Sequence, residues 1–283
     1  MLPLGGWTLS GTELALLPLA LATLVLEGQT PSAPQPGPRD TIILRDGFES
    51  GSLSEWAQIP DTARYSISTD RARAHTGTHS LQALYTPANG YGTIARWFMP
   101  GYDEVYVRFY VMFEEGFQNM RGDGNGMHFF VLAGNRVDDA RSSFGKPGIV
   151  PNGTDFVYAG LDPEYVQRDP TLLPFSFYTY WPDMRDRYGN VLTQRSPKVP
   201  LVGGEWQEVV FHLRLNTPGH ADGSQTVWLN GVKQLDQQHM RWRTTTDLRL
   251  NAIRFDNYMP GGLRTQHVWV DDVTVWQPFR SPR

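Results

Sequence analysis

From Thr41 onward the chain runs in short segments of alternating polarity, separated by clusters of Gly, Pro, Asn and Asp. No helical period lasts beyond two turns, so the pattern predicts strands rather than helices. Val105 to Phe113 (VYVRFYVMF) is the clearest of them. Val105, Val107, Phe109, Val111 and Phe113 share one side, and Tyr106, Arg108, Tyr110 and Met112 the other. In Val209 to Asn216 (VVFHLRLN), the core side carries Val209, Phe211, Leu213 and Leu215, and the outer side Val210, His212, Arg214 and Asn216. Phe175 to Trp181 (FSFYTYW) places Ser176, Tyr178 and Tyr180 together. The same alternation predicts strands at 41–45, 79–85, 92–98, 127–133, 225–230, 248–256 and 267–276. Strands with one apolar face each, joined by turns, make an all-β, two-sheet antiparallel sandwich.

Length and composition narrow this further. Residues 41–283 suffice for one large jelly-roll domain. Leu14 to Leu26 (LALLPLALATLVL) is an apolar run too short for a membrane span, which needs about twenty residues, and it suits a signal-peptide core. Residues 1–26 are therefore expected to be a signal peptide, although no Lys or Arg precedes the run. The Pro-rich stretch 27–40 reads as an extended linker. The expectation is a secreted, extracellular or periplasmic protein with no membrane span in its mature chain, acting as a monomer. A net charge of −4 provides no global field for nucleic acid. With no Cys, disulfides and thiolate metal sites are excluded. Aromatic residues at 12% exceed what a core alone asks for, and they suit platforms on which flat ligands stack.

The two ends carry a recognisable pattern. The first strand leads into Asp46-Gly-Phe-Glu-Ser-Gly, the last holds Val270-Asp-Asp-Val, and His75-Thr-Gly-Thr-His-Ser-Leu lies between. Together these resemble concanavalin A-like lectin and carbohydrate-binding domains. The resemblance implies that the first and last strands pair, and that a structural Ca²⁺ sits at the seam. Asp46, Glu49 and Asp271 are its candidate ligands, since a hard cation asks for six to eight oxygens. The alternative is that these carboxylates satisfy turn amides.

The second half is more specific. Gly204-Glu-Trp206, Leu215-Asn-Thr-Pro-Gly219, Asp222-Gly223, Val227-Trp-Leu-Asn-Gly231, Arg243 and Phe255-Asp-Asn-Tyr-Met-Pro-Gly-Gly262 follow in order before the closing Val-Asp-Asp-Val. This series resembles the jelly-roll polysaccharide lyases of the alginate lyase and glucuronan lyase type. Such lyases carry a Lys near a Pro-Gly turn and a Tyr-x-Tyr strand on a concave face. Gly145-Lys146-Pro147-Gly148 and Tyr178-Thr-Tyr180 match in type and order, with 149–174 as an insert between them.

The implied chemistry is β-elimination from a uronate in an acidic polysaccharide. A base removes the C5 proton, a cation screens the adjacent carboxylate, and an acid protonates the leaving oxygen. Tyr178 or Tyr180, with Lys146 lowering the phenol pKa, or His128 or His212, are the candidate bases. Arg108 or Arg214 would screen the carboxylate. Tyr106, Tyr110, His212, Arg214 and Asn216 complete the expected substrate face. The alternative reading is a non-catalytic carbohydrate-binding module using the same tyrosines as a stacking platform. Hydrolysis is disfavoured, because it needs two carboxylates facing each other across the bond and no strand carries the E-x-D-x-x-E arrangement of the related jelly-roll glucanases.

Overall fold

The computed structural model describes residues 32–60, 62–87, 91–120, 126–194 and 199–281; the apolar run at 14–26 lies outside them. Among the described residues sixteen strands, numbered along the chain, form two eight-stranded sheets. The first sheet holds β1 (Thr41–Asp46), β3 (Tyr65–Ser68), β4 (Ser80–Tyr85), β6 (Glu104–Phe113), β12 (Gln207–Arg214), β13 (Gly223–Leu229), β14 (Val232–Met240) and β16 (Gln266–Gln277). Their order is β14-β13-β12-β6-β16-β4-β3, with β1 also on β16. The second sheet holds β2 (Ala57–Pro60), β5 (Tyr91–Tyr102), β7 (His128–Arg136), β8 (Phe156–Pro163), β9 (Leu173–Tyr180), β10 (Asn190–Thr193), β11 (Pro200–Leu201) and β15 (Leu248–Tyr258). Its order is β10-β9-β8-β7-β15-β5-β2, with β11 on β9. Each pairing is antiparallel, as the alternation predicts. No helix among the described residues is long and apolar enough to cross a membrane.

The core follows from the alternation. Val105, Val107, Phe109, Val111 and Phe113 of β6 and Val209, Phe211 and Leu213 of β12 are all fully buried between the sheets. Phe129, Phe130 and Phe255 of the opposite sheet meet Phe109 at centroid distances of 6.0, 5.0 and 5.4 Å. Two consecutive residues, Phe129 and Phe130, both point inward because the β7–β15 register shifts between the Phe255 and Tyr258 pairs. A bulge re-aims the side chains beside it, and here the residue next to it on β7 is His128, paired with Tyr258.

The stretch read as an insert contains β8, which pairs with β7 on one side and β9 on the other. Its alternation is softened by Ala159, Gly160 and Pro163, which is why it does not stand out in the sequence. Part of the Pro-rich stretch packs onto the first sheet. Ala33 is buried against Val210, Trp228 and Trp276, so Val210 is fully covered on the side read as outer.

The first and last strands do pair, from Thr41↔Gln277 to Asp46↔Val273. The acidic seam beside them is filled by the 75–79 turn. Asp271 Oδ2 accepts the His75 and Thr76 N–H groups at 2.8 and 3.3 Å. Glu49 Oε1 accepts those of Thr78 and His79 at 2.9 and 2.8 Å. Gly77, at φ 64°, lies so close that a Cβ there would stand 2.5 Å from the Glu49 carboxyl. Asp46 accepts from the Phe48 N–H and the Trp56 indole, both at 2.7 Å. Among the described residues no three acidic or imidazole groups converge as metal ligands. Asp271 and Glu49 thus satisfy turn amides; if a Ca²⁺ is also held at this seam, EDTA lowers the melting temperature, and if the amides alone satisfy the carboxylates, EDTA leaves it unchanged.

The two seam carboxylates have opposite pH slopes. Amide donors from Thr78 and His79 hold Glu49 down at about 2, below the ordinary 4.5. Its stabilisation is full above about 4.5 and is lost as the pH falls toward 2. Asp271 is pushed up to about 6 from 3.8, first by burial. The folded chain then binds that proton more tightly than the unfolded one, so this contribution is lost as the pH rises through 6.

Candidate active site

Tyr178, Tyr180 and His128 come together on the outer face of the second sheet. Tyr178 and Tyr180 stand two residues apart on β9, so they project from the same side. The Tyr178 and Tyr180 hydroxyls are 3.1 Å apart, and the two rings meet edge to face at 5.5 Å. His128, at the start of β7, lies 4.8 Å from the Tyr178 ring and 5.3 Å from that of Tyr258.

β8 completes the cluster between them. Asp162 binds His128 Nδ1 through Oδ2 at 2.7 Å and accepts the Phe129 N–H through Oδ1 at 2.8 Å. A carboxylate oxygen accepts, so the imidazole donates from Nδ1, and in the neutral ring Nε2 is the acceptor. Tyr158 stands 5.9 and 5.5 Å from Tyr178 and Tyr180. Burial raises its hydroxyl well above 10, so it stays neutral and donates to Asp256 at 3.4 Å. Gly160 clears the floor here, because a Cβ would come 2.7 Å from the Tyr178 carbonyl oxygen.

β15 adds charge. Arg254 is buried with its guanidinium over Tyr158 and Phe144, at 5.1 and 4.9 Å, and reaches Asp256 at 3.5 Å. Its Nε has no hydrogen-bond partner among the described residues. Thr93 of β5 fixes Asp256 from the far side at 2.8 Å.

The turn around Lys146 does approach the tyrosines, but through its backbone. The Gly148 N–H donates to the Tyr180 hydroxyl at 3.4 Å, and Arg187 holds the Gly148 carbonyl at 3.2 Å. Lys146 itself pairs with Asp155 at 3.5 Å and lies over Phe156. The Tyr180 hydroxyl thus joins the Gly148 N–H to the Tyr178 hydroxyl, and either phenol can be the donor between the two tyrosines.

The expected substrate face of Arg108, Tyr106, Tyr110, His212 and Arg214 is not beside these groups. They belong to β6 and β12 of the first sheet and face away on the opposite side of the sandwich. Tyr106 is stacked between His212 and Trp276 at 4.0 and 5.1 Å, and burial raises its hydroxyl to about 12. His212 is paired with Glu104 at 2.8 Å. Arg108 binds Gln35, Arg214 binds the Asp222 carbonyl, and Tyr110 is stacked on His75 at 3.6 Å. Asn216 is buried, accepting the Trp242 and Arg243 N–H groups and donating to three carbonyls. Alternation separates inner from outer side chains but does not say which sheet a strand joins.

Tyr158, Asp162, Arg254, Asp256 and Tyr258 were not read as site residues. Their period-two spacing on β8 and β15 was the available signal.

The polysaccharide lyase 14 family model matches residues 182–279, which span β10 to β16 and begin just after Tyr180. The LNTPG and VWLNG segments fall inside it, in line with the resemblance they carry. No curated protein matches the chain in sequence. Among solved structures, a marine alginate lyase from Aplysia kurodai superposes with a TM-score of 0.62 at 14% identity, over 84% of this chain and 100% of that one. An alginate lyase variant bound to an alginate trisaccharide gives 0.60 at 15% identity, over 84% and 98%. An endo-β-1,4-glucuronan lyase from Trichoderma reesei gives 0.55 at 17% identity, over 84% and 97%. The shared property at these identities is the jelly-roll fold.

Proposed function

We propose that the chain is an exported lyase that cleaves a uronate-containing polysaccharide by β-elimination on the outer face of the second sheet. The observation that carries this reading is the joining of a His–Asp pair to a hydrogen-bonded Tyr pair on one open face. Two proton-transfer groups of different kinds are what an elimination needs. His128, held by Asp162, takes the C5 proton on Nε2. The electrons of that C–H bond form the C4–C5 double bond as the C4–O bond breaks. Tyr178 gives its proton to the departing oxygen, and Tyr180 stabilises the phenolate by its hydrogen bond. The Gly148 N–H supports Tyr180 in turn. Arg254 supplies the positive charge that makes the carboxylate-stabilised carbanion tolerable. Proton exchange with water then resets both groups.

The lyase names of the family model and of the structural relatives support this reading. The same aromatic face also suits the second one, a carbohydrate-binding module that holds the chain without cutting it. Incubation with alginate and with glucuronan separates the two. Growth of ultraviolet absorbance from unsaturated uronate ends is the expected result. Retained binding with no such growth on any polyuronate would sink the lyase reading in favour of the module.

A further inference from the structure

A 680 Å³ cleft opens at the edge of the sandwich, where β10 of the second sheet and β14 of the first come side by side. It is lined by Trp181, Arg185, Val191, His239 and Arg241 among others. It borders the tyrosine face directly. Trp181 follows Tyr180 in the chain, and Val191 pairs across the ladder with Tyr178. A polymer crossing the second sheet strand by strand would leave the face over β10 and enter this cleft.

Two features suggest that the cleft is built to hold an anion. Its guanidinium groups are under-used. Arg185 is exposed and has no ion-pair partner among the described residues. Arg241 gives its Nε to Asp183 at 2.8 Å, which leaves its terminal nitrogens for a planar oxyanion. The second feature is backbone strain. His239 adopts φ 62° at a bulge where the β13–β14 register shifts. That conformation favours glycine, and a bulky residue kept there points to a use for its side chain.

Building on the lyase reading, we propose that this cleft is a subsite for a uronate beyond the bond that is cut. Arg185, Arg241 and His239 bind its carboxylate and select acidic over neutral polymers.

The test uses the full chain carrying Tyr178→Phe, so that binding is read without turnover. Adding Arg185→Ala and Arg241→Ala together should weaken affinity for alginate and glucuronan about tenfold, as expected for lost charge-assisted hydrogen bonds. Affinity for carboxyl-reduced alginate should not change. His239→Gly should raise the melting temperature by relieving the backbone while still weakening alginate binding. Unchanged affinity in the double Arg variant, or equal loss for acidic and neutral polymers, overturns the subsite. Unchanged affinity in His239→Gly removes His239 from it. If the wild-type chain binds acidic polymers in this pattern but forms no unsaturated ends, the subsite stands and the lyase reading fails.

Discussion

Tyr178→Phe should lower the rate of elimination about 10³-fold, the middle of the range for losing a positioned acid–base group. The ring remains, so its edge-to-face contacts with Tyr158 and Tyr180 at 5.9 and 5.5 Å are kept. Only the hydroxyl is lost, along with its 3.1 Å contact to Tyr180. Melting temperature and polysaccharide affinity should therefore change little, and the loss should fall on kcat rather than KM. Tyr180→Phe should be milder, about 10-fold, because it removes a single supporting hydrogen bond of about 1.5 kcal/mol from the phenolate. Steady-state kinetics on alginate or glucuronan checks both. If Tyr178→Phe retained full activity, Tyr178 would not be the proton donor.

The second large effect is expected at Asp162. Asp162→Asn keeps the shape of the side chain, and its amide oxygen can still accept the Phe129 N–H now held at 2.8 Å. The amide nitrogen then faces His128 Nδ1, where it donates instead of accepting. His128 is driven into the other tautomer, with its proton on Nε2, and can no longer take one from the sugar. The rate should drop about 10²–10⁴-fold with folding intact, since a wrongly oriented imidazole is as poor a base as an absent one. The tautomer change is visible directly in the ¹⁵N shifts of the imidazole. A full rate with a switched tautomer would exclude His128 as the base, and Tyr178 would then have to take the proton itself.

Much of the scaffold was legible from the residues. Alternation in VYVRFYVMF and VVFHLRLN separated core from outer side chains, and all five inward residues of β6 are fully buried. That inference is local, because a strand that buries one face must repeat every second residue. Tyr178 and Tyr180 were legible for the same reason: two residues apart on one strand is a spacing that places both on one side.

The candidate face was only partly legible, and what the sequence left open has one cause. β6 and β9 both present tyrosines outward, but they lie in different sheets, so Tyr106 and Tyr110 cannot stand beside Tyr178. Which sheet a strand joins is decided by long-range pairing and core packing, and these leave no trace in a strand's own alternation. His128 and Asp162 are 34 positions apart and meet only because β8 inserts between β7 and β9. The seam at the chain ends shows the same limit: Glu49 and Asp271 meet the amides of the 75–79 turn only through long-range pairing. By itself the sequence determined the all-β sandwich, the buried faces and the tyrosine pair, since each depends on contacts within a strand. Tertiary structure alone decided the sheet partners, the His–Asp link and the cleft at the sandwich edge, because each depends on bringing distant segments into one place.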